Sequence, residues 1–168
     1  MAEVRDKENQ FVDHVVSVRR VTKVTKGGKR FAFSAFVVTG DQHGRVGIAI
    51  GKSREVSQAI AKATNRARKN MVEIPLRGTT LPYDALGKHG GSKVILRPAS
   101  KGTGKIAGGA VRAVLDAAGI EDALTKSVGS SNGINAAKAT LNALAKMRSA
   151  QHIARLRGKT VQEIVKGA

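Results

Sequence analysis

A roughly two-residue alternation runs over residues 11–25, where Val12, His14, Val16, Val18 and Val21 are interleaved with polar positions. That period predicts a long strand, because successive side chains of a strand face opposite sides. Lys26-Gly27-Gly28-Lys29 interrupts it, and Phe31, Phe33, Ala35, Val37 and Thr39 resume it. Two alternating runs around Gly-Gly predict a hairpin with a basic tip. Gly40-Asp41-Gln42-His43-Gly44 turns the chain into a third strand through Val46, Ile48 and Ile50. There the period changes. Val56, Ala59, Ile60, Ala63 and Ala67 recur at helical spacing, in a helix opened by Gly51-Lys52-Ser53. Lys62, Arg66 and Lys69 fall on the side away from that stripe. The first unit reads β-β-β-α.

Ile74-Pro75-Leu76-Arg77-Gly78 reads as a hinge, or as a strand entering a second unit. Short strands are predicted at residues 80–83 and 93–97. A small-residue helix follows over 106–118, with Val111, Val114, Leu115 and Ala118 inward, and then a strand over 123–128. Asn132 is placed to cap a last long helix that carries Ile134, Ala137, Leu141 and Leu144 on one face. The second unit reads β-β-α-β-α, with one more strand if Ile74 begins one. From Arg155-Leu156-Arg157-Gly158-Lys159 onward, a short amphipathic end predicts an extension over a neighbour.

Composition changes the picture mainly through charge. With 168 residues, 41% of them apolar, the chain is long enough for one ordinary domain or two small ones, each with a modest core. Thirty Lys and Arg stand against twelve Asp and Glu, a formal net charge of +18. Such a surface repels itself, and a polyanion is its natural counter-charge: nucleic acid or an anionic membrane. No apolar run approaches the roughly 18 residues a membrane span needs. Residues 1–10 are polar and mixed in charge, so no signal peptide is expected there. The absence of cysteine excludes disulfides, thiol chemistry and Cys-ligated zinc. A cytosolic chain without a cofactor is expected.

The basic residues divide evenly, fifteen before Arg77 and fifteen from Arg77 onward, so both halves are expected to touch the polyanion. Between Val15 and Val72, thirteen Lys and Arg face only Asp41 and Glu55. A surface charged merely for solubility mixes both signs. Arg19, Arg20, Lys23, Lys26, Lys29, Arg30, Arg66 and Lys69 therefore read as an RNA-contacting group. Aromatic residues are few: Phe11, Phe31, Phe33, Phe36 and Tyr83. Of these only Phe31 or Phe33 could stack on a base, and both are expected in a core. The charge then points to phosphate backbones and folded RNA shape.

Two glycine motifs suggest nucleotide binding, and neither carries it. Gly47-Ile48-Ala49-Ile50-Gly51-Lys52-Ser53 is one residue short of a phosphate-binding loop, and its spacer reads as strand. What survives is Lys52 beside a helix N-terminus, a natural site for an RNA phosphate. Gly102-Thr103-Gly104-Lys105-Ile106-Ala107 matches a dinucleotide pattern, but parallel β-α-β architecture is not evident on both sides. Close packing of backbone against RNA or protein is the better reading, extended by Gly108-Gly109. His14, His43, His89 and His152 have no metal-ligand spacing, and no Gly-x-Ser-x-Gly elbow occurs. No catalytic centre can be assembled.

Longer blocks carry a resemblance. Arg19-Arg20-Val21-Thr22-Lys23-Val24-Thr25-Lys26-Gly27-Gly28-Lys29-Arg30 is similar to the basic first hairpin of bacterial small-subunit ribosomal protein five, the uS5 family. Gly44-Arg45-Val46-Gly47, Gly51-Lys52-Ser53-Arg54-Glu55-Val56, Ala67-Arg68-Lys69-Asn70-Met71 and the run from Pro98 to Leu115 resemble its other signature blocks, in order and at the expected spacing. The resemblance implies an α+β fold of two small domains. Residues 11–75 would form a double-stranded-RNA-binding-like β-β-β-α domain. Residues 76–150 would form an α+β sandwich with a left-handed β-α-β crossover, and 151–168 a C-terminal extension.

The resemblance further implies a structural constituent of the small ribosomal subunit in the cytoplasm, not an enzyme. It would bind small-subunit ribosomal RNA and contribute to assembly and translational accuracy. Its neighbours would be small-subunit ribosomal proteins four and eight and messenger RNA where it enters the subunit, with no membrane and no homo-oligomer. In the family the hairpin lies near the site of spectinomycin action, which transfers to Val21 through Lys29. Gly104, Gly108, Gly109 and Arg112 would face protein four. Gly27 and Gly28 at the hairpin tip join the RNA-contacting residues, as do Lys52, Arg54, Lys62, Arg68, Lys88, Lys101, Lys105 and Lys126. At Lys105 many relatives have an apolar residue. A transient RNA chaperone and a nucleotide-dependent enzyme are the rival classes.

Overall fold

A computed structural model describes residues 11–166, so the polar stretch 1–10 lies outside the described residues. β1 (Val12–Thr25) and β2 (Gly28–Gly40) form the expected antiparallel hairpin, closed by Lys26 and Gly27. β3 (Arg45–Ser53) pairs with β2, and a two-residue β4 (Val72–Glu73) pairs with β3, giving a four-stranded sheet in sequence order. A register shift between Val15 and Ser17 lets β1 bend along its length.

α1 (Val56–Lys69) covers one face of this sheet through Ala59, Ala63 and Ala67, all fully buried. Alanines four residues apart let the helix backbone come down onto the strand. The strand answers with glycines: a Cβ at Gly47 would run into the Ala67 carbonyl, and one at Gly51 into that of Ala59. The short phosphate-loop motif is therefore a helix-on-strand contact. It also corrects the helix start. β3 continues through Ser53, with Lys52 opposite Ser34, and α1 begins at Val56 behind Glu55. Lys52 is a strand residue and does not sit at the free N–H groups of α1.

The second sheet has the order β5-β6-β8-β7, built from Ala85–His89, Ser92–Pro98, Ala123–Gly129 and Lys105–Ile106. β7 and β8 are parallel and joined through α2 (Gly109–Ala118), a β-α-β unit. The expected strand at 80–83 is absent; Thr80 makes only isolated bridges, and β5 takes its place further on. α2 starts at Gly109 rather than at Ile106, because Lys105 and Ile106 pair with β8. α3 (Gly133–Ala145) is capped as expected by Asn132, whose side chain accepts from the Ile134 N–H at 3.1 Å. The chain ends in α4 (Ala150–Arg157), capped by Ser149, and α5 (Val161–Lys166).

The core has two layers: Ala35, Val37, Ala59, Ala63 and Ala67 are buried between the first sheet and α1, and a larger cluster lies on that sheet's other face. Phe36, Val38 and Val46 on the second face of the first sheet share one apolar cluster with Val111, Val114, Leu115 and Ala118 of α2 and with Leu96 and Leu144. β2 is thus buried on both faces, which explains why Ala35-Phe36-Val37-Val38 is apolar without alternation. Ile74, read as the start of a hinge or strand, is buried in that cluster and donates its N–H to the Gly44 carbonyl at 2.7 Å. The β2–β3 turn also completes α2. Gln42 and Gly44 donate N–H groups to the Ala117 and Ala118 carbonyls at 3.0 and 3.1 Å, partners that a helix end otherwise lacks.

Candidate nucleic-acid interface

β3 pairs with β2 only from Phe33 onward, so residues 21–32 continue past the sheet as a two-stranded ribbon. Lys23 lies opposite Arg30, and Val24 opposite Lys29, with Arg19 and Arg20 at the base and Lys26 in the turn. All six cations are exposed, and no acidic residue lies between Asp13 and Asp41. Among the described residues none of the six has an acidic partner; ion pairs form only at Arg68–Asp13, Arg97–Asp84 and Lys105–Asp116. Strand pairing holds like charges side by side, which costs stability unless an outside anion neutralises them. Gly27 and Gly28 leave the tip open, with nothing within 4 Å of an added Cβ.

A second basic surface lies on α1. Lys62, Arg66 and Lys69 line a shallow groove with Gln58, Asn65 and Asn70, and Arg66 also donates to the Ile50 carbonyl at 3.2 Å. Arg54 is exposed just before the helix. Arg68 stands apart from the groove. Its guanidinium is bound to Asp13 at 2.7 Å and lies 5.2 Å above the Phe11 ring, so its charge is largely used within the chain.

A third surface is the outer face of the second sheet. Lys88 opposes Lys93, and Lys126 opposes Ile95, while the alternate residues Ser92, Val94 and Leu96 are buried. Lys93, which is not among the expected RNA-contacting residues, shares this face with Ile95 and Arg97, because residues two apart on a strand point the same way. Lys105 is held by Asp116 at 2.6 Å, and Arg112 donates to the Lys105 carbonyl at 3.1 Å. Both belong to the junction of β7 and α2.

The Gly102–Gly104 loop does bind an anion, and the anion is Asp122. One carboxylate oxygen accepts from the Gly102 and Gly104 N–H groups at 3.0 and 2.9 Å, and the other accepts from the Thr79 hydroxyl at 2.9 Å. The Gly104 N–H and the Thr79 hydroxyl, with Gly102 adding to them, hold the Asp122 carboxyl below its ordinary value against the opposing effect of burial. Gly104 needs its glycine for conformation, at φ +77°, since an added Cβ would meet nothing. Lys101 is exposed beside this loop, as are Gly108 and Gly109, the cap and first residue of α2. The dinucleotide-like motif is thus already filled by the protein's own carboxylate, a role the sequence reading missed.

Three basic surfaces, and a glycine loop turned inward on a carboxylate, fit a phosphate-binding scaffold. Comparison with known proteins decides which one. Residues 11–75 match the family model for ribosomal protein S5, N-terminal domain, and residues 87–157 match that for its C-terminal domain. The chain belongs to the ribosomal protein S5 family. It is 57% identical over 158 residues to the small ribosomal subunit protein uS5 of Flavobacterium psychrophilum, covering 94% of this chain and 91% of that one. It is 50% identical over 164 residues to the uS5 protein of Syntrophobacter fumaroxidans, covering 98% and 99%. The uS5 family comprises structural ribosomal proteins and not enzymes. Among the described residues no helix is long and apolar enough to cross a membrane.

Proposed function

We propose that this uS5 protein is a structural constituent of the small ribosomal subunit in the cytoplasm that holds small-subunit ribosomal RNA through the basic hairpin and the α1 groove. The carrying observation is the ribbon of six exposed cations, with no acidic partner among the described residues. Ribosomal RNA supplies the missing charge, phosphate by phosphate, and releases its counterions as it binds. Lys88, Lys93, Lys101 and Lys126 add contacts from the second half, while Arg68 and Lys105 serve the protein's own structure first. We divide the chain at 75/76 and treat 151–168 as an extension over neighbouring ribosomal components.

Sedimentation of a lysate through a high-salt sucrose gradient tests the assignment. One copy per small subunit should survive the wash, because a +18 chain adheres non-specifically only at low ionic strength. Release into the soluble fractions would mean a transient RNA-binding factor. Within the purified system, changing Lys23, Lys26, Lys29 and Arg30 to Gln should weaken binding to small-subunit ribosomal RNA. The slope of log affinity against log salt should fall by about 1 per residue replaced. An unchanged slope would remove the hairpin from the interface.

The finer reading places Gly104, Gly108, Gly109 and Arg112 against small-subunit protein four and includes protein eight and incoming messenger RNA among the neighbours. Translational accuracy then depends on an interface that must shift as the subunit closes. Arg112→Leu should raise or lower miscoding in a reporter strain while the gradient profile of assembled subunits stays normal. An assembly defect without a change in error rate would assign Arg112 to the fold, through its bond to the Lys105 carbonyl.

A further inference from the structure

The hairpin carries more than phosphate ligands. Phe31, expected in a core, is 48% exposed, and Val24 on the same face is 71% exposed. The pairing explains why they meet. Thr22 opposes Phe31, Arg20 opposes Phe33, and Val24 opposes Lys29, so Arg20, Val24 and Phe31 occupy one face of the ribbon. It is the side of the sheet that carries α1, because Ala35 and Val37 continue the same alternation down to Ala59 and Ala63. The Arg20 guanidinium lies 3.8 Å above the centre of the Phe31 ring.

We propose that Arg20 and Phe31 form a stacking platform for an unpaired base of the bound RNA. The proposal rests on the ribosomal-RNA reading above and names a subsite within it. A large apolar ring kept in water on a ribbon without a third strand gains nothing for the fold. It gains a partner when a planar, apolar surface is brought to it. Stacking Arg20 on the ring restricts a long, flexible side chain and leaves the guanidinium edges available to a phosphate. A base laid on this pair is gripped on its face while its own phosphate meets Lys29, which opposes Val24 on the same face of the ribbon. The surrounding charge selects the occupant: an anionic strand with exposed bases is complementary to a ribbon that carries six cations and no acid. Base stacking on aromatic and guanidinium planes is tolerant of sequence and favours unpaired over paired RNA.

The chain contains no tryptophan, so Phe31→Trp introduces a single reporter. Its emission should be quenched when the full-length protein is titrated with a single-stranded oligoadenylate, and should change little with an RNA duplex of equal length. Phe31→Leu keeps the apolar bulk and the hairpin but removes the plane. It should lower affinity for the single strand by roughly 5–100-fold with no change in salt dependence, because no phosphate contact is lost. Thermal melting of each variant confirms that the fold is retained. Equal affinity of wild type and Phe31→Leu, or a tryptophan blind to the oligoadenylate, overturns the platform. In that case steep, salt-dependent binding of small-subunit ribosomal RNA by the wild type would leave the broader reading standing; its absence would end both.

Discussion

Gly119→Ala should abolish folding, whereas Gly158→Ala should leave a protein only about 1 kcal/mol less stable. Both glycines follow a helix and hold a left-handed backbone, at φ +81° and +61°. At Gly158 an added methyl meets open space, so only the conformational cost remains. At Gly119 it would be driven into the Gln42 backbone, where the β2–β3 turn caps α2. The residue cannot move aside. The Ile120 N–H donates to the Leu115 carbonyl and the Gly119 N–H to that of Asp116, and the fully buried Ile120 side chain anchors the turn. Gly40→Ala separates the two causes. Its backbone is not left-handed, yet its Cβ would strike the Ala117 carbonyl across the same junction. Backbone overlap in a shared core costs about 4–5 kcal/mol or more, close to the whole stability of a small domain. Soluble yield and urea unfolding followed by circular dichroism provide the check. If Gly119→Ala or Gly40→Ala melts within a few degrees of wild type, the two halves are not locked at this turn.

Period and punctuation made the hairpin and both long helices readable, because each is specified locally. Gly27-Gly28 closes the hairpin, Ala59-Ala63-Ala67 marks the buried stripe of α1, and Asn132 caps α3. What could not be read depends on distant partners. β5 carries Ala85, Gly87 and Lys88, poor strand formers, and it exists because the α3 backbone at Ala139 lies against Gly87. β7 is two residues held by β8. Lys52 mimics the start of a helix but is captured by Ser34 across the sheet.

The candidate interface divides the same way. Charge density along the sequence marks the ribbon and the basic face of α1. The state of each cation was not visible: Arg68 and Lys105 look like their neighbours in sequence and differ only in having Asp13 and Asp116 beside them. Phe31, like Phe33, reads in sequence as a core residue, since it sits in the alternating apolar run of β2. Its exposure follows from where β3 stops pairing, which no local pattern records. Asp122 was hidden for the opposite reason, since the loop it fills is twenty residues away and looks like a site for someone else's anion.

Asp122→Ala should therefore be the most damaging substitution of a charged residue, and its effect should depend on pH. The side chain gathers three segments at one point: Thr79 before the second sheet, the Gly102–Gly104 loop, and the start of β8. Its own carbonyl accepts from the Thr80 hydroxyl, which in turn accepts from the Ala99 N–H, so the network extends one residue beyond the carboxylate. Removing it leaves two backbone N–H groups and a hydroxyl unpaired in a partly buried loop, and the melting temperature should drop by roughly 10 °C. Asp122→Asn retains one acceptor oxygen for the two glycines and should fall between. The sign of the pH effect follows from the lowered carboxyl. Between the ordinary value of 3.8 and the lower folded value, the unfolded chain binds the proton and the native protein does not. The stabilisation is fully present above pH 3.8 and is lost as pH falls through the folded value. Wild-type stability should decline on that acid limb more steeply than that of Asp122→Asn, so the two curves converge as acid is added. Parallel curves down to the lowest measurable pH would show that the carboxylate charge is not what holds the loop. At the proposed interface with protein four, Gly104 would shift in step, because its N–H is held by the same oxygen. Asp122→Ala should then bring a change in miscoding even in subunits that assemble, by loosening the surface on which Arg112 stands.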